Sequence, residues 1–254
     1  MKDKTGRQSL ILQRVSATGS FEVSALAEEL KVSEETIRRD IKEMERKGLV
    51  QRRHGGATLP EPISDTSYQH RLRHNAEGKR AIGRAVAGLI RDGDSLLIET
   101  GTTATYVAQA LREHRGLTVV TNSVDVARSL AFRVDNEVYM AGGKLTPDDG
   151  ASLGQTAIEY ISRFRVKYAI LSAAAIDLED GLMAHKVAEA EFSRAVLERA
   201  QTAILVADQT KFGRRAFVSI AGLSELDLVV TDAAPAAEFR RILDRSGVEL
   251  VPAY

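Results

Sequence analysis

Four loops in this sequence combine glycine, hydroxyl and lysine residues in a way that suits the binding of a phosphate group. In the first loop, Gly101, Thr102 and Thr103 present two hydroxyls and free backbone N–H groups at the start of a predicted helix. In the last loop, Lys211 adds a mobile positive charge that matches a phosphate oxygen. A Gly-Thr-Thr turn alone is more often a plain helix cap, so the prediction depends on the four loops meeting at one site. The residues predicted to bind the phosphorylated ligand are Gly101, Thr102, Thr103, Thr121, Asn122, Ser123, Gly142, Gly143, Glu189 and Lys211.

A second cluster of charged residues, near the amino terminus, has the composition of a nucleic-acid-binding surface. The whole chain has a formal net charge of zero, which by itself argues against such a surface. Between Ile37 and His54, however, the chain carries seven basic and only three acidic residues. The sequence therefore predicts a local basic surface within a neutral protein.

Three short helices must position that basic surface. The first is predicted from Arg7 to Ala17 and stops at a Thr-Gly-Ser breaker, and the second spans Val23–Leu30. After a tight turn at Lys31, the hydroxyl of Ser33 can cap the start of a third helix, Glu34–Lys47, which ends at a glycine. Helix, tight turn and helix is the arrangement of a DNA-reading motif.

The third helix is amphipathic, and the hairpin after it decides how its charged face is interpreted. Ile37, Ile41 and Met44 share one face and should pack inward. The opposite face carries Glu35, Arg38, Arg39, Lys42 and Arg46. A solvated helix face would give the same pattern. The predicted strands Leu49–Arg52 and Ala57–Leu59, joined by a Gly-Gly turn with arginines beside it, favour the wing of a winged helix instead.

From Lys79 onward, helical patterns alternate with short apolar strands. The predicted strands are Leu96–Ile98, Leu117–Val120, Val138–Met140, Ala169–Leu171, Ala203–Val206 and Leu228–Val230. The predicted helices are Arg80–Ile90, Thr105–Arg112, Val124–Leu130, Thr156–Arg163, Ala188–Ala200 and Ala236–Asp244. This alternation predicts an α/β domain with a mainly parallel sheet and helices on both faces. Ligands bind such folds at the carboxyl ends of the strands, where all four polar loops should lie.

Composition limits the possible classes of protein. A composition of 44% hydrophobic and 28% charged residues is typical of a folded globular protein. We expect a winged-helix DNA-binding domain at residues 1–59, a linker at 60–78 and an α/β domain at 79–254. No apolar run approaches the roughly 20 residues of a membrane span, and the charged start does not resemble a signal peptide, so a cytoplasmic protein without a membrane partner is expected. The absence of cysteine excludes disulfides, thiolate catalysis and cysteine-bound metals.

Two histidines in the predicted linker raise the question of a metal site. His70 and His74 are four residues apart, a spacing that can hold zinc on one helix face. No cysteine or accompanying glutamate motif is present, and the neighbouring Arg71 and Arg73 would repel a cation. We therefore predict neither a metal nor a cofactor.

The amino-terminal motif resembles a known family. The run VSEETIRRDI at residues 32–41, the Gly-Leu pair at 48–49 and RHGGA at 53–57 are similar to the signature of the DeoR family of bacterial regulators. The resemblance implies that the third helix lies in the major groove of operator DNA. The residues expected to contact DNA are Ser33, Glu35, Thr36, Arg38, Arg39, Lys42, Arg46, Arg52, Arg53 and His54.

The remainder of the chain resembles the DeoR sensor domain, whose fold is similar to that of sugar-phosphate isomerases. Segments 149–154, 161–165, 211–214 and 231–233 look most like those of glycerol-3-phosphate regulon repressors. The resemblance implies a repressor of carbohydrate or glycerol phosphate catabolism genes that a phosphorylated metabolite, such as glycerol 3-phosphate or a sugar phosphate, releases from DNA. Two departures bear on the ligand: Glu99, where the family commonly has aspartate, and Ser172–Ala175, where it usually keeps a glycine.

Two other classes of function compete with a regulator. An isomerase needs a carboxylate as general base, but the strand Ala169–Leu171 runs into Ser-Ala-Ala-Ala, and Glu189 could equally be a glutamate favoured by its position at a helix start. A pure interaction module would bind no small molecule at all. A regulator should also act as a homo-oligomer, dimer or tetramer, because a single winged helix reads too few base pairs.

Overall fold

The chain divides into two compact units, Met1–Asp65 and Thr66–Tyr254. The computed structural model describes residues 6–8, 10–11, 14–15, 20–46, 50–53, 55–58 and 67–253. The predicted winged helix and the predicted α/β domain correspond to these two units, and the predicted fold class is confirmed.

The first unit contains helices and a three-stranded antiparallel sheet. The described residues between 6 and 15 are helical, and they are followed by β1 (Ser20–Glu22), α1 (Val23–Leu30), α2 (Glu34–Arg46), β2 (Gln51–Arg53) and β3 (Gly56–Thr58). The strand order is β1-β3-β2, so β3 lies in the centre. The sequence predicts β2 and β3 but not β1, because this three-residue strand follows directly on a breaker and forms only by pairing with β3.

Local chemistry sets the boundaries of α1 and α2. Lys31 ends α1 in the left-handed conformation, with φ 52°, and its N–H donates to carbonyls of the last turn. Ser33 Oγ accepts a hydrogen bond from the N–H of Thr36 at 3.2 Å, as predicted for an N-cap. Ile37, Ile41 and Met44 are each at most 1% exposed, which confirms the predicted inward face. The predicted end of α2 at Lys47 and Gly48 lies outside the described residues.

The second unit is built on a seven-stranded, entirely parallel sheet. Its strands are β4 (Ser95–Ile98), β5 (Thr118–Thr121), β6 (Glu137–Met140), β7 (Val166–Leu171), β10 (Ala200–Val206), β12 (Leu228–Thr231) and β13 (Glu249–Pro252). Their order is β13-β12-β10-β7-β4-β5-β6, and every adjacent pair is parallel. All seven carboxyl ends therefore lie along one edge, with β7 between β4 and β10.

Helices cover both faces of this sheet. They are α3 (Tyr68–Arg73), α4 (Ala76–Leu89), α5 (Thr102–Ala110), α6 (Val124–Leu130), α7 (Gln155–Ile161), α8 (Val187–Leu197) and α9 (Ala237–Arg245). The strand residues alternate between two buried clusters: Leu97 and Val120 belong to one, whereas Leu96, Ile98 and Val119 belong to the other. The period of two places a hydrophobic layer on each face of the sheet.

Three short strands form a second sheet that the sequence did not predict. They are β8 (Ala175–Asp177), β9 (Gly181–Ala184) and β11 (Val218–Ala221), in the order β11-β9-β8 with antiparallel pairing. Neither this sheet nor β13 was expected: β8 and β9 form a short local hairpin, and β11 and β13 are four-residue strands that pair with strands far from them in the sequence.

The predicted linker, residues 60–78, differs from the observed division. The second unit begins at Thr66, and most of residues 67–78 are helical, in α3 and the start of α4. Tyr68 is only 2% exposed, so this polar segment is anchored in the second unit by one buried aromatic side chain. His70 and His74 are both exposed, and among the described residues no group of three or more histidine, cysteine or acidic side chains could hold a metal ion.

Candidate DNA interface and effector site

In the first unit, α2 and the β2–β3 hairpin border a basic groove. Its volume is about 370 Å³. The polar side chains that line it are Glu35, Arg38, Arg39, Lys42 and Arg52. All five are exposed, so the structure brings together half of the ten predicted DNA contacts on one concave surface.

Specific hydrogen bonds join the hairpin to α2 and to the start of α1. Glu45 Oε1 accepts the backbone N–H of Arg52 at 3.0 Å, and the N–H of Val23 donates to Gly55 O at 2.8 Å. Arg38 pairs with Glu34, one turn earlier on α2, with 2.6 Å between Nη2 and Oε2. Because this pair is exposed, it is weak and can exchange for a phosphate contact.

The other predicted DNA contacts are not all placed on the groove. Ser33 and Thr36 form the start of α2, with their hydroxyl oxygens 2.8 Å apart, so both serve the helix cap. His54 and the side chains of Arg46 and Arg53 lie outside the part of the chain that the structure describes. The DNA-contact roles of the individual residues stay predictions.

In the second unit, the Gly-Thr-Thr loop follows β4 and opens α5. Gly101 has a φ of 153°, and a Cβ there would lie 2.0 Å from Ser172 Oγ, so only glycine fits. No side chain caps the start of α5. Thr102 and Thr103 form its first turn, where backbone N–H groups and the helix dipole favour an anion. This is the geometry that the sequence predicts for a phosphate-binding loop.

The loop after β5 supports the Gly-Thr-Thr loop from within the protein. Thr121, Asn122 and Ser123 are fully buried. Asn122 Oδ1 accepts the N–H of Thr100 at 2.8 Å, while Thr121 Oγ1 donates to Ile98 O at 2.6 Å. Ser123 caps α6. These predicted ligand contacts therefore have intramolecular hydrogen-bonding partners, and they hold the Gly-Thr-Thr loop in place.

The glycine pair after β6 lies farther along the same edge. Gly142 and Gly143 are exposed, and a Cβ at Gly143 would lie 2.8 Å from Ser152 Oγ. The carbonyl of Ser152 accepts a hydrogen bond from Asn122 Nδ2 at 3.2 Å. The structure thus connects the glycine pair to the Gly-Thr-Thr loop through Ser152 and Asn122, and no described contact brings the glycines to Lys211.

Lys211 lies in a short turn after β10 and reaches toward the loop after β7. Its Nζ is 3.4 Å from Ala174 O, and Ser172 Oγ, in the same loop, donates to Thr100 O at 3.0 Å. Burial lowers the pKa of Lys211 to about 8; Asp208 opposes this shift, and the nearby Lys79, Arg71 and Arg214 add to it. A cation that is desolvated among other cations is stabilised when an anion binds beside it.

Glu189 is engaged at the start of its own helix, α8. Its Oε2 accepts the backbone N–H groups of His185 at 3.2 Å and Lys186 at 3.3 Å. This geometry agrees with the reading of Glu189 as a residue favoured at a helix start. His185 was not predicted as a site residue. It is half-buried, burial lowers its pKa, and among the described residues no hydrogen-bond partner reaches its Nε2.

Glu99 is the most perturbed acid at this edge, and the sequence marked it only as a departure from the family. It is 4% exposed, and Ser193 donates to its Oε1 at 2.6 Å. Within the described part of the chain, its Oε2 has no hydrogen-bond partner. Burial raises the pKa of Glu99 to about 8; the Ser193 hydrogen bond opposes the rise, and the Glu189 carboxylate adds to it. Glu99 is therefore largely neutral at pH 7.

The raised pKa of Glu99 predicts a pH-dependent stability. The unfolded chain ionises this carboxyl near its ordinary pKa of 4.5, whereas the folded chain does so at about 8. The neutral Glu99 carboxyl thus stabilises the folded state fully below pH 4.5, and this stabilisation is lost as the pH rises toward about 8. We expect the free energy of unfolding of wild type to fall by an amount on the order of a few kcal/mol across this pH range, since a pKa change of one unit corresponds to about 1.4 kcal/mol. Glu99→Gln should not show this fall.

Urea unfolding at several pH values between the two pKa values would measure this effect. Glu191→Gln, the same change at an exposed position on α8, is the matched control. If the free energy of unfolding falls equally with pH in wild type and in Glu99→Gln, the burial of an un-ionised Glu99 carboxyl is refuted.

The loop after β7 contains no carboxylate where an isomerase would need one. It reads Ser172-Ala173-Ala174-Ala175. The next acid, Asp177, is paired with Arg215 at 3.0 Å, and that hydrogen bond lowers its pKa to about 2. Asp177 is therefore a weak base whose carboxylate is engaged by Arg215.

The two units define a class of protein: a DNA-binding regulator with a winged helix followed by an α/β sensor domain. Residues 7–62 match the DeoR-like helix-turn-helix domain, and residues 74–233 match the DeoR C terminal sensor domain. The chain belongs to the DeoR family of transcriptional regulators and binds operator DNA. This confirms the family that the sequence motifs indicate.

Similar proteins from other organisms cover nearly the whole chain. It is 36% identical over 247 residues to the glycerol-3-phosphate regulon repressor of Escherichia coli K12, covering 97% of this chain and 98% of the relative. It is 34% identical to the HTH-type transcriptional repressor CsqR of the same organism, covering 96% and 94%. The predicted similarity to glycerol-3-phosphate regulon repressors is therefore confirmed.

Among solved structures, one that is similar to part of this chain is ribose 5-phosphate isomerase A from Neisseria gonorrhoeae. It aligns with a TM-score of 0.39 and 16% identity over 54% of this chain and 53% of the isomerase. A likeness at this level does not bear on function. As for membranes, none of the helices in the described ranges has both the length and the apolar character needed to span one.

Proposed function

We propose that this regulator is a repressor whose hold on operator DNA is released when a phosphorylated small molecule binds the carboxyl edge of its sensor sheet. The observation that carries this proposal is the shared attachment of two anion-binding features to one loop. Ser172 donates to Thr100, the residue before Gly101 at the start of α5, and Ala174 O lies within hydrogen-bonding distance of the desolvated Lys211. A phosphate bound there would gain a helix N-terminus and a lysine together.

The names of the relatives suggest the chemical class of the effector. Three relatives are called glycerol-3-phosphate regulon repressor, in Escherichia coli, Shigella flexneri and Haemophilus influenzae. Glycerol 3-phosphate or a sugar phosphate is accordingly the effector that we propose, with genes of carbohydrate or glycerol phosphate catabolism as targets. The chain is proposed to act in the cytoplasm as a homo-oligomer on repeated half-sites.

A catalytic role is not proposed. Asp177, the acid nearest after β7, is held in an ion pair, and Glu189 is bound to backbone N–H groups of its own helix start. Incubating the pure protein with ribose 5-phosphate or fructose 6-phosphate tests this directly. Conversion at enzymatic rates would overturn it.

The effector is tested by a screen in two formats. Thermal unfolding is followed with glycerol 3-phosphate, fructose 6-phosphate, ribose 5-phosphate and unphosphorylated glycerol as the control, because a ligand that binds only the native state stabilises it. Fluorescence anisotropy then follows release from a DNA duplex selected from a random library by the full chain. A phosphorylated compound should raise the unfolding temperature and release the DNA. Stabilisation by glycerol alone, or none by any phosphate, contradicts the proposal.

The basic groove predicts which substitution weakens operator binding. We expect Arg39→Ala to reduce affinity for the selected duplex by roughly 1–3 kcal/mol if Arg39 reaches a base edge, with a smaller loss on random DNA. Anisotropy titrations on both duplexes measure the two losses, and Arg84→Ala, exposed on α4, is the control. Equal losses on both duplexes would make Arg39 a phosphate contact.

A further inference from the structure

The first helix of the second unit, α3, is placed by contacts with the loops of the proposed effector site. It has six residues, too few for a helix that is stable alone, so its position depends on tertiary contacts. It begins at Tyr68, two residues after the second unit begins at Thr66. Of the elements of the second unit, α3 is the nearest in sequence to the DNA-binding unit.

Tyr68 connects the start of α3 to the Gly-Thr-Thr loop. Its buried hydroxyl lies 2.7 Å from Thr105 Oγ1, and Thr105 in turn donates to Gly101 O at 3.0 Å. Either hydroxyl of this pair can be the donor. Burial raises the pKa of Tyr68, and the nearby Asp125 carboxylate adds to the rise, so the phenol stays protonated. Two hydrogen bonds thus separate α3 from the glycine that opens the phosphate loop.

Lys79 connects the end of α3 to the loop that carries Lys211. Its side chain is 3% exposed, and Nζ donates to Arg71 O at 2.5 Å and to His74 O at 2.8 Å, the carbonyls at the end of α3. The same ammonium lies 3.9 Å from Asp208 Oδ2, three residues before Lys211. A buried lysine that caps a helix C-terminus and pairs loosely with Asp208 responds to any new charge at that loop.

Two aspartates, Asp148 and Asp232, also connect the region of α3 to loops of the second unit. Asp148 accepts the N–H of Tyr68 at 2.8 Å, and Asp232 accepts both the side chain of Asn75 and the N–H of Gln209 at 2.7 Å. Asn75 lies between α3 and α4, and Gln209 lies in the loop of Lys211. The loop after β10 is therefore joined to this region twice, by Lys79 and by Asp232.

We propose that Tyr68 and Lys79 are positioning residues that transmit effector binding to the DNA-binding unit through α3. The inference rests on the proposed effector site. A phosphate at Gly101 and Lys211 adds negative charge beside the Asp208–Lys79 pair and fixes the backbone to which Thr105 donates. Both ends of α3 then change their hydrogen bonding together. Such a two-state element is what allows a ligand to alter the affinity of a distant site.

The test separates effector binding from effector response. Tyr68→Phe removes one hydroxyl and preserves the buried ring. Lys79→Met removes the ammonium and preserves much of the length of the side chain. The controls make the same changes elsewhere in the unit. Tyr139→Phe removes a hydroxyl that contacts Glu137 on the edge strand, and Lys167→Met removes an ion pair with Asp94 at the amino edge of the sheet.

Each full-length variant is mixed with glycerol 3-phosphate, fructose 6-phosphate or inorganic phosphate. Amide exchange is followed at residues 99–105, 207–213 and 67–74, and DNA release is followed by anisotropy. In wild type and controls, a bound probe should protect both loops, alter exchange in α3 and weaken DNA binding by about 5–150-fold, the usual range of coupling. In Tyr68→Phe and Lys79→Met, the bound probe should still protect both loops, but it should change the affinity for DNA by a factor close to one.

Three results would overturn the proposal. The first is normal DNA release by both variants, and the second is loop protection in wild type without any change in α3. The third is that no probe slows amide exchange in either loop. This result would also refute the proposed effector site, and the exchange of residues 99–105 and 207–213 identifies it. Should Lys79→Met fail to fold, Tyr68→Phe decides alone, because it retains the buried ring.

Discussion

Replacing Thr102 with leucine should produce a repressor that binds its operator normally but no longer responds to its effector. Thr102 lies in the first turn of α5, beside Gly101 at the uncapped helix start. Leucine removes a hydroxyl donor and places a bulky side chain where the phosphate should lie. An effector shifts DNA binding only through its different affinity for two states, a coupling of about 1–3 kcal/mol that disappears when the effector cannot bind.

Anisotropy with the selected duplex, with and without each phosphorylated probe, measures this loss of response. Thr156→Leu is the matched control, because Thr156 is exposed in the first turn of another helix, α7. If Thr102→Leu still releases DNA at the effector concentration that releases wild type, the phosphate binds elsewhere. If the variant is folded yet has lost DNA binding, Thr102 belongs to the coupling between the units rather than to the ligand site.

Thr102→Leu and Tyr68→Phe distinguish two ways of losing the response. Thr102→Leu should abolish both effector binding and DNA release, since it acts at the site. Tyr68→Phe should preserve effector binding and abolish release, since its hydroxyl reaches Gly101 only through Thr105. Thermal stabilisation by the effector therefore separates the two variants even though both remain on the operator.

Elements with a strong repeating pattern were predictable from the sequence. The inward face of α2 follows from apolar residues three to four positions apart, and the parallel strands follow from short continuous apolar runs. Both α1 and α6 have the predicted bounds, Val23–Leu30 and Val124–Leu130. The position of the Gly-Thr-Thr loop at the start of α5 was predictable too, because glycine and hydroxyl residues directly follow a buried strand; its role in binding phosphate stays a prediction.

Features that depend on distant partners could not be read from the sequence. Strand β1 exists because it pairs with β3, and the second sheet joins segments some forty residues apart. Lys79 and Glu99 read as ordinary charged residues; only the fold shows that both are buried. Conversely, Asn122 has the chemistry of a ligand contact, but the structure uses its side chain to hold Thr100 and Ser152.

Replacing Gly56 with alanine should abolish DNA binding by disrupting the wing. A Cβ at Gly56 would lie 1.9 Å from the backbone oxygen of Phe21, on β1. Real Cβ atoms do not approach an oxygen so closely, and a backbone atom cannot turn aside as a side chain can. The pairing of β3 with β1 must therefore open, and because β3 is the central strand, β2 and Arg52 at the edge of the basic groove are displaced with it.

Gly88→Ala provides the matched control for this substitution. Gly88 lies within α4, where a Cβ would meet nothing within 4 Å, so alanine should be tolerated or mildly stabilising. Anisotropy should show near-complete loss of duplex binding for Gly56→Ala and none for Gly88→Ala. Amide exchange should accelerate at residues 20–22 and 56–58 in Gly56→Ala while α5 and Lys211 keep their wild-type exchange. Wild-type DNA affinity in Gly56→Ala would show that the hairpin tolerates the displaced pairing and that the basic groove does not depend on β1.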